Sequence, residues 1–237
     1  MGMKQIVGAF KDYKIWMSWV MFWANTIGVY GFTATAPTVI EGLGYKSTDA
    51  QLLTVPIYMF ALLMVIIWAF WSEKVQQRSP FIMAGYAIAV FGFIGQLAIP
   101  QTRLKGLTYG FLFPVAAGLY CPLIMIVTWV ANNLAPSSKR AVGMALLISV
   151  GNVGGIVGSN IYLAAEKPKY PTGFGVSLAI CCAAIIMAGI LRVVCKRENE
   201  RRRKMIEEEG EEAIRARYSE QELLDLGDRS PFFIYTL

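Results

Sequence analysis

Aromatic rings and hydroxyl groups lie on two helical stripes of this sequence, and together they have the chemistry of a site for a small organic molecule. The first stripe lies near the start of the chain and consists of Trp19, Trp23, Thr26, Tyr30 and Thr33. At about 100° per residue, these side chains fall within roughly 80° of one another on a helix. The second stripe, within an arc of roughly 40°, consists of Tyr109, Phe113 and Tyr120. Such rings and hydroxyl donors could line an aqueous cavity and contact an organic ligand.

Each stripe also has a structural explanation. Helix packing produces the same pattern, and Trp19 and Trp23 fit the belt of aromatic residues found at membrane surfaces. These alternatives stay open from the residues alone. We predict that Thr26, Tyr30, Phe113 and Tyr120 are the members that contact a ligand.

A glycine-rich stretch later in the chain combines a packing face with a polar face. Its small face allows a neighbouring helix to approach closely and consists of Gly151, Gly154, Gly155 and Gly158. Asn152 and Asn160 lie on a different arc. Because an amide in lipid needs a hydrogen-bond partner, both should face protein or water. They are predicted to bond either to another helix or to a ligand, and we include both among the candidate binding residues.

Three further amides, Asn25, Asn132 and Asn133, have the same two possible roles. Asn132 and Asn133 lie near the end of an apolar stretch, where gate or capping residues are typical. Proline interrupts the second and fourth apolar stretches at Pro56, Pro114 and Pro122. Proline bends a helix because it removes a backbone hydrogen bond. Such bends suit helices that rock during transport, and they also occur in static bundles.

The elements that carry these residues are apolar stretches without charge. Six stretches contain no Asp, Glu, Lys or Arg, and they cover residues 15–40, 50–72, 79–102, 106–138, 141–165 and 170–191. A hydrocarbon core of about 30 Å takes roughly 20 helical residues at about 1.5 Å each. The hydrophobic share of 56% and the mean hydropathy of +0.49 exceed those of an ordinary soluble domain. We therefore predict an all-α membrane protein with six transmembrane helices in a lipid bilayer.

Positive charges predict the orientation of these spans, because Lys and Arg near span ends stay in the cytoplasm. One side carries thirteen of them, from Lys4 to Lys204, and the other side carries five, from Lys46 to Lys169. This places both ends of the chain in the cytoplasm. The net charge of +6 is then mainly a topology feature with some attraction to anionic lipid, and no nucleic-acid partner is expected.

Short connections between the stretches predict one compact bundle over residues 15–195, preceded by a cytoplasmic segment over residues 1–14. Residues 196–237 form a cytoplasmic tail. Its basic and acidic runs predict a solvated helix over 196–212, followed by a flexible end. The arginines after the sixth span are expected to anchor that helix at lipid headgroups. No binding role is predicted for the tail.

Enzyme classes that depend on histidine are excluded, because the sequence has none. The spans contain no carboxylate, which also disfavours an intramembrane aspartyl protease. The four cysteines lie in or at the end of apolar runs and are expected to pack as small hydrophobic residues. We predict no catalytic residue, no metal site and no cofactor.

Several of these segments carry a family resemblance. The most specific run through the fourth and fifth spans and read TWVANNLAP (128–136), KRAVGMA (139–145) and GNVGGIVGSNIY (151–162). They resemble the tenth and eleventh spans of fungal allantoate permease-like transporters, in the anion:cation symporter group of the major facilitator superfamily. Individually weaker matches are YGF (30–32), APTVI (36–40), GLGY (42–45), AQLLTVP (50–56), SPFI (79–82), KREN (196–199) and LGD (226–228) with Phe233 and Tyr235. The likeness covers nearly the whole chain.

This resemblance implies the C-terminal half of the family fold, spans seven to twelve, with FKDYK (10–14) as the end of the cytoplasmic link between halves. Relatives import allantoate, nicotinate, pantothenate, biotin and similar small organic anions, commonly with protons as the coupling ion. Glu73 and Lys74 would occupy the acidic and basic places of a degraded Asp-Arg loop, although an ordinary loop is the alternative. Ile234 departs from the family pattern, since relatives often have arginine there.

The resemblance leads us to expect a fragment of a proton-coupled carrier for a small organic anion in the plasma membrane. Because the substrate site of this fold lies between two six-span halves, the partner would be the missing N-terminal half or a second copy. The spans offer no protonatable carboxylate, so the coupling residue is expected in a loop or outside this chain. The alternative is a membrane protein that does not transport and pairs with itself or with another carrier; an enzyme is the least favoured class.

Overall fold

The computed structural model describes residues 3–100, 103–167 and 169–237, with side chains from residue 6 onward. Two features used above, Lys4 in the charge count and residues 101–102 at the end of the third stretch, lie outside these limits. The described residues form helices and turns and contain no β-strand. The helices are α1 Met3–Phe10, α2 Tyr13–Gly42, α3 Ser47–Val75, α4 Ser79–Ala98, α5 Lys105–Asn132, α6 Ser137–Asn152, α7 Gly154–Asn160, α8 Pro171–Glu209, α9 Glu211–Ala216 and α10 Glu220–Leu226.

Within the described part of the chain, five helical segments are long and apolar enough to cross a membrane. They are Ser47–Val75, Ser79–Ala98, Lys105–Asn132, Ser137–Asn160 and Pro171–Glu209. The remaining long helix, α2, has 30 residues but is less apolar than these five, because it carries Asn25 and several threonines. The predicted all-α membrane fold, one half of the major facilitator architecture, is confirmed.

Helix α2 tolerates its polar residues because other helices surround it. It packs against α3, α5, α6, α7 and α8. The hydroxyl group of Tyr86 on α4 donates to the carbonyl oxygen of Met21 at 2.6 Å. The amide of Asn25 donates to the carbonyl oxygen of Leu119 on α5. Asn25 therefore has the helix-bonding role among its two alternatives, and its buried amide is satisfied within the bundle.

Helices α4 and α5 pack closely because glycine lies between them. A Cβ atom at Gly118 on α5 would collide with the backbone of Ala89 on α4, and one at Gly85 would meet the ring of Pro122. Helix α5 continues through Pro114 and Pro122, and α3 continues through Pro56. The prolines therefore lie inside long helices and do not end them.

The long helices alternate in direction and give the bundle two ends. We call the end that carries Asp12, Arg78, Lys139 and Arg202 the basic end. At this end Arg78 is buried and forms an ion pair with Glu73 at 2.5 Å and a hydrogen bond with Ser72 at 2.7 Å. Glu73, which lies in the last turn of α3, thus pairs with Arg78, while the neighbouring Lys74 is exposed.

The tail differs from the flexible end that the sequence predicts. Helix α8 runs from the bundle to Glu209, and α9 and α10 follow as short, mostly exposed helices. Beyond them, the chain turns back onto the basic end of the bundle. Asp228 is 1% exposed and Tyr235 is 5% exposed. Long-range hydrogen bonds and ion pairs cause this return, and composition alone does not reveal them.

Candidate functional site

The predicted stripe on α2 meets the end of α6. The indole nitrogen of Trp23 donates to the carbonyl oxygen of Val150 at 2.9 Å, and that of Trp19 donates to Leu146 at 3.3 Å. The hydroxyl group of Thr26 donates to the carbonyl oxygen of Gly151 at 2.9 Å. The last four carbonyl groups of a helix have no partner within that helix. Trp23 and Thr26 therefore supply donors that the end of α6 needs.

Helix α6 ends at Asn152, and α7 begins at Gly154 after the single residue Val153. The glycines on both sides of this break lie against α2. A Cβ atom at Gly158 would lie 2.6 Å from the carbonyl oxygen of Ile27, and one at Gly155 would lie 3.2 Å from the ring of Tyr30. The packing role predicted for the glycine face is confirmed.

Tyr30 lies at the edge of this contact and is 49% exposed. One turn further along α2, the hydroxyl group of Thr33 lies 3.3 Å from that of Tyr120 on α5. The ring of Tyr58 on α3 packs edge-on against Tyr120, with 6.2 Å between ring centroids. Tyr30, Thr33, Tyr58 and Tyr120, which we call the tyrosine surface, thus bring three helices together.

A cavity of about 320 Å³ adjoins the tyrosine surface between α3 and α5. Its lining consists of Tyr58, Ala61, Leu62, Val65, Tyr120, Leu123 and Ile124. This volume lies at the lower limit for small-molecule sites. Mostly apolar walls with two tyrosines suit a flat organic molecule more than a strongly hydrated one.

Phe113 belongs to a separate aromatic group nearer the other end of α5. Its ring packs against Phe60 on α3, with centroids 5.6 Å apart, and against Tyr109, with centroids 5.4 Å apart. The hydroxyl group of Tyr109 donates to the carbonyl oxygen of Leu53 at 2.8 Å. Phe113 therefore lies in the α3–α5 contact, about two helical turns from Tyr120.

The two predicted amides of the glycine-rich stretch are both exposed. Asn160 donates to the carbonyl oxygen of Ile156 in its own helix at 2.7 Å. Asn152 directly follows Gly151, whose carbonyl oxygen accepts from Thr26, and within the described part of the chain its side chain has no hydrogen-bond partner. The structure therefore brings Thr26 and Tyr30 against the glycine-rich stretch that contains Asn152, and it joins Thr33 of the same α2 stripe to Tyr120. Phe113 and Asn160 lie outside these contacts.

A second polar group, at the basic end, was not predicted as a site. It consists of Asp12, Lys14, Lys139 and Asp228, which we call the ion cluster. All four residues are buried. Lys139 lies 2.6 Å from Asp12 and 2.8 Å from Asp228, while Lys14 lies 3.4 Å from Asp12 and also pairs with Asp228. Buried charges of this kind need such mutual pairing.

Within the ion cluster, Asp228 is held in its charged form by the two lysines. Burial raises the pKa of Asp228, but Lys14 and Lys139 lower it more strongly, so that the pKa lies below the ordinary aspartate value. The sequence contained a signal for this cluster, because two of its segments, KRAVGMA (139–145) and LGD (226–228), are among those that carry the family resemblance, and FKDYK (10–14) is the link that this resemblance implies. The interpretation of Lys14 and Lys139 as topology charges alone missed it.

Comparison with known proteins places this geometry in a family. The model of the Major Facilitator Superfamily matches residues 18–235. The chain is 34% identical over 236 residues to the MFS-type transporter cnsO of Penicillium expansum, covering 98% of this chain and 45% of that protein. It is 29% identical over 231 residues to the high-affinity nicotinic acid transporter of Saccharomyces cerevisiae, covering 98% of this chain and 42% of that protein.

The chain therefore spans less than half the length of these two curated relatives. An uncharacterized transporter of Schizosaccharomyces pombe, C1002.16c, is 29% identical over 207 residues. The match to the family model extends over nearly the whole chain, and the membrane-spanning helices agree with it. This chain is an integral membrane protein of the Major Facilitator Superfamily.

Proposed function

We propose that this chain is the C-terminal half of a secondary carrier that takes up a small organic anion with protons. Candidate substrates are nicotinate, allantoate, pantothenate and related carboxylates. The coverage of less than half of each relative supports the half-carrier assignment, and the name of one relative, a nicotinic acid transporter, supports the substrate class. The carrier would lie in the plasma membrane with both ends of this chain in the cytoplasm.

The observation that carries this proposal is the tyrosine surface, whose Tyr30 is exposed and packs against Gly155 in the same glycine-rich stretch as the exposed Asn152. An amide without a partner on a helix that can span a membrane needs a polar contact from elsewhere. A carboxylate can accept hydrogen bonds from the amide of Asn152 and from tyrosine hydroxyl groups. An aromatic acid can also pack its ring against Tyr30 or Tyr120. This half would therefore form one wall of the substrate site, and a second six-helix half would form the other.

Proton coupling requires a group that gains and loses a proton during transport. Asp12 and Asp228 are buried and already paired with lysines, so we assign this role to neither of them. The coupling group in this proposal therefore lies in the second half or in an exposed loop. This assignment agrees with the absence of carboxylates from the predicted spans.

Uptake by the reassembled carrier tests the proposal. This chain is co-expressed with the N-terminal half of a relative, and uptake of labelled nicotinate, allantoate and pantothenate is measured. We expect uptake of at least one of them only when both halves are present. The Tyr30→Phe and Asn152→Ala variants should raise KM, whereas Tyr45→Phe, which changes a tyrosine with the same exposure of 49% in another part of the chain, should not.

Two outcomes contradict the proposal. One is the absence of uptake for every substrate although both halves reach the membrane and associate. The other is a KM that is the same in the Tyr30→Phe, Asn152→Ala and Tyr45→Phe variants.

A second candidate function is a membrane protein that does not transport and pairs with itself or with another carrier. The exposed apolar face of α3 favours it, because Leu52, Phe70 and Trp71 are all exposed there. Crosslinking through α3 without any uptake by the co-expressed halves would support this candidate, whereas a strictly monomeric chain in lipid would contradict it.

A further inference from the structure

Residues 228–237, which we call the closing segment, cross the basic end of the bundle. They contact α2 through Lys14, α5 through Trp129, α6 through Lys139 and α8 through Asn199. The backbone nitrogen of Arg78, at the start of α4, also donates to the carbonyl oxygen of Leu237 at 2.5 Å. One short segment therefore bridges five helices.

Two asparagines bind the backbone of consecutive residues in the closing segment. Asn133 accepts from the backbone nitrogen of Thr236 at 2.8 Å and donates to its carbonyl oxygen at 3.0 Å. Asn199 does the same with Tyr235, and both of its distances are 2.8 Å. An asparagine amide can satisfy both backbone groups of one residue because it carries a donor and an acceptor. This pattern recognises a peptide backbone irrespective of its side chains.

Further donors from the bundle reach the same backbone. Trp129 donates to the carbonyl oxygen of Thr236 at 2.8 Å, and Arg202 donates to that of Phe233 at 2.6 Å and to that of Asp228 at 3.0 Å. The side chain of Ile234, in contrast, is 57% exposed. Binding through main-chain groups, with an intervening side chain pointing outward, is how proteins bind peptides in non-helical form.

Two side chains of the segment fix its position. The ring of Tyr235 lies between Lys14 and Arg202, at 4.4 Å and 4.6 Å from its centroid. Cations over an aromatic face attract it electrostatically. The carboxylate of Asp228 bonds Lys14 and Lys139, which belong to different helices. Aspartate and tyrosine, seven positions apart, therefore set the register of the segment.

The connection between α8 and the closing segment packs loosely. Helices α9 and α10 are mostly exposed, and Ile214 is the only residue described as buried in either of them. The segment is thus held by its own contacts and not by the chain that leads to it. The closing segment therefore resembles a bound peptide that is joined to the bundle by a loosely packed connection.

We propose that the basic end of the bundle is a peptide-binding site, and that the chain's own closing segment occupies it as an intramolecular ligand that locks the ends of α2, α5, α6 and α8 together. The ligand class is a non-helical peptide with an aspartate followed seven residues later by a tyrosine. The site is separate from the tyrosine surface, so that this inference does not depend on which substrate the carrier takes.

Cleavage of the connection between α8 and the closing segment tests this inference. A protease site is introduced between Arg217 and Tyr218, which are exposed, and the full chain is purified in detergent and then cleaved. We expect the released fragment to stay bound to the bundle. In the double variant Asn133→Ala, Asn199→Ala it should leave at least about tenfold faster, because four hydrogen bonds are lost. Asn132→Ala, which changes the exposed neighbour of Asn133, should retain the fragment as the wild type does.

Immediate loss of the fragment from the wild-type bundle would overturn the inference, as would full retention in the double variant. Hydrogen exchange of the uncut chain provides an independent readout if cleavage causes aggregation. The backbone amides of Tyr235 and Thr236 should be protected in the wild type and in Asn132→Ala, and unprotected in the double variant. Rapid exchange of both amides in the wild type would also overturn it.

Discussion

The hydroxyl group of Thr26 lies 2.9 Å from the carbonyl oxygen of Gly151 and joins the middle of α2 to the last turn of α6. This bond lies next to the break between α6 and α7 at Val153. Although Thr26 is a candidate ligand contact by sequence, its hydroxyl group is buried and already bonded to protein. Its effect on a ligand would therefore pass through the positions of its neighbours.

The Thr26→Val variant tests this role, because valine keeps the shape of threonine and removes the donor. We expect the free energy of unfolding to fall by about 1 to 3 kcal/mol, since the carbonyl group of Gly151 loses a buried partner. Thermal unfolding in detergent measures the change. Thr38→Val is the matched control, because the hydroxyl group of Thr38 on the same helix makes no hydrogen bond within the described part of the chain. Equal stability of the two variants would contradict the assignment.

Tyr120 should affect binding more than stability. In the co-expressed carrier, Tyr120→Phe removes a half-exposed hydroxyl group of the tyrosine surface and is expected to raise KM about 3- to 10-fold. Tyr86→Phe removes a fully buried hydroxyl group that bonds Met21, so that it should lower stability and leave KM unchanged. Uptake kinetics and thermal unfolding of both variants separate these effects. Unchanged KM in Tyr120→Phe would remove this residue from the site.

Replacing glycine by alanine should have opposite effects on stability at Gly158 on α7 and at Gly110 on α5. Gly158→Ala places a Cβ atom 2.6 Å from the backbone of Ile27, so that α2 and α7 must move apart. Overpacking of this kind costs about 1 to 3 kcal/mol. At Gly110 on α5 a Cβ atom meets nothing within 4 Å, and Gly110→Ala should be neutral or stabilising by up to about 1 kcal/mol. Thermal unfolding gives both values, and a destabilised Gly110→Ala with a neutral Gly158→Ala would be the opposite of this expectation.

Lowering the pH should weaken the binding of the closing segment to the basic end of the bundle. The groups that face Asp228 are Asp12, Lys14, Lys139, Arg202 and Tyr235. Because the folded pKa of Asp228 is lowered, its contribution is present above the unfolded value of about 3.9 and is lost as the pH falls through the folded pKa. Retention of the cleaved closing segment should therefore be constant between about pH 5 and pH 8 and fall below about pH 4.

The Asp228→Asn variant should lose this acid dependence. It leaves Lys14 and Lys139 to share Asp12, and removal of one partner from a buried pair costs about 3 to 5 kcal/mol. We expect a lower thermal midpoint at pH 7 and a smaller difference from the wild type at acid pH. An equal difference at every pH would assign the effect of the substitution to packing.

The sequence predicted the long helices well where charged residues mark both of their ends. The uncharged stretches 15–40 and 50–72 correspond to Tyr13–Gly42 and Ser47–Val75. The stretch 106–138 extends past the end of α5 at Asn132, because the turn before α6 is itself apolar and gives no charge signal. The break at Val153 was not predicted either. No proline marks it, and the donors that stabilise it come from α2.

For the candidate site too, the sequence predicted what depends on one helix and missed the contacts between helices. Stripe geometry correctly grouped Thr26 and Tyr30 on one face of α2, because helical periodicity is a local property. It could not show that Trp23 and Thr26 bond to α6, or that Phe113 packs against Phe60 on α3. The sequence did not predict the ion cluster at the basic end, because Asp12, Lys139 and Asp228 lie far apart in the chain and meet only in the folded bundle.

The position of Asp228 in the chain also determines when, during synthesis, the ion cluster can form. A ribosome makes all the long helices of the bundle before it reaches this residue, and until then Lys14 and Lys139 have one carboxylate, Asp12, to share between them. The end of the bundle that carries Lys14 and Lys139 should therefore pack tightly only after Asp228 has been synthesised. Truncation before Asp228 should leave this end loosely packed, although all the long helices had been made.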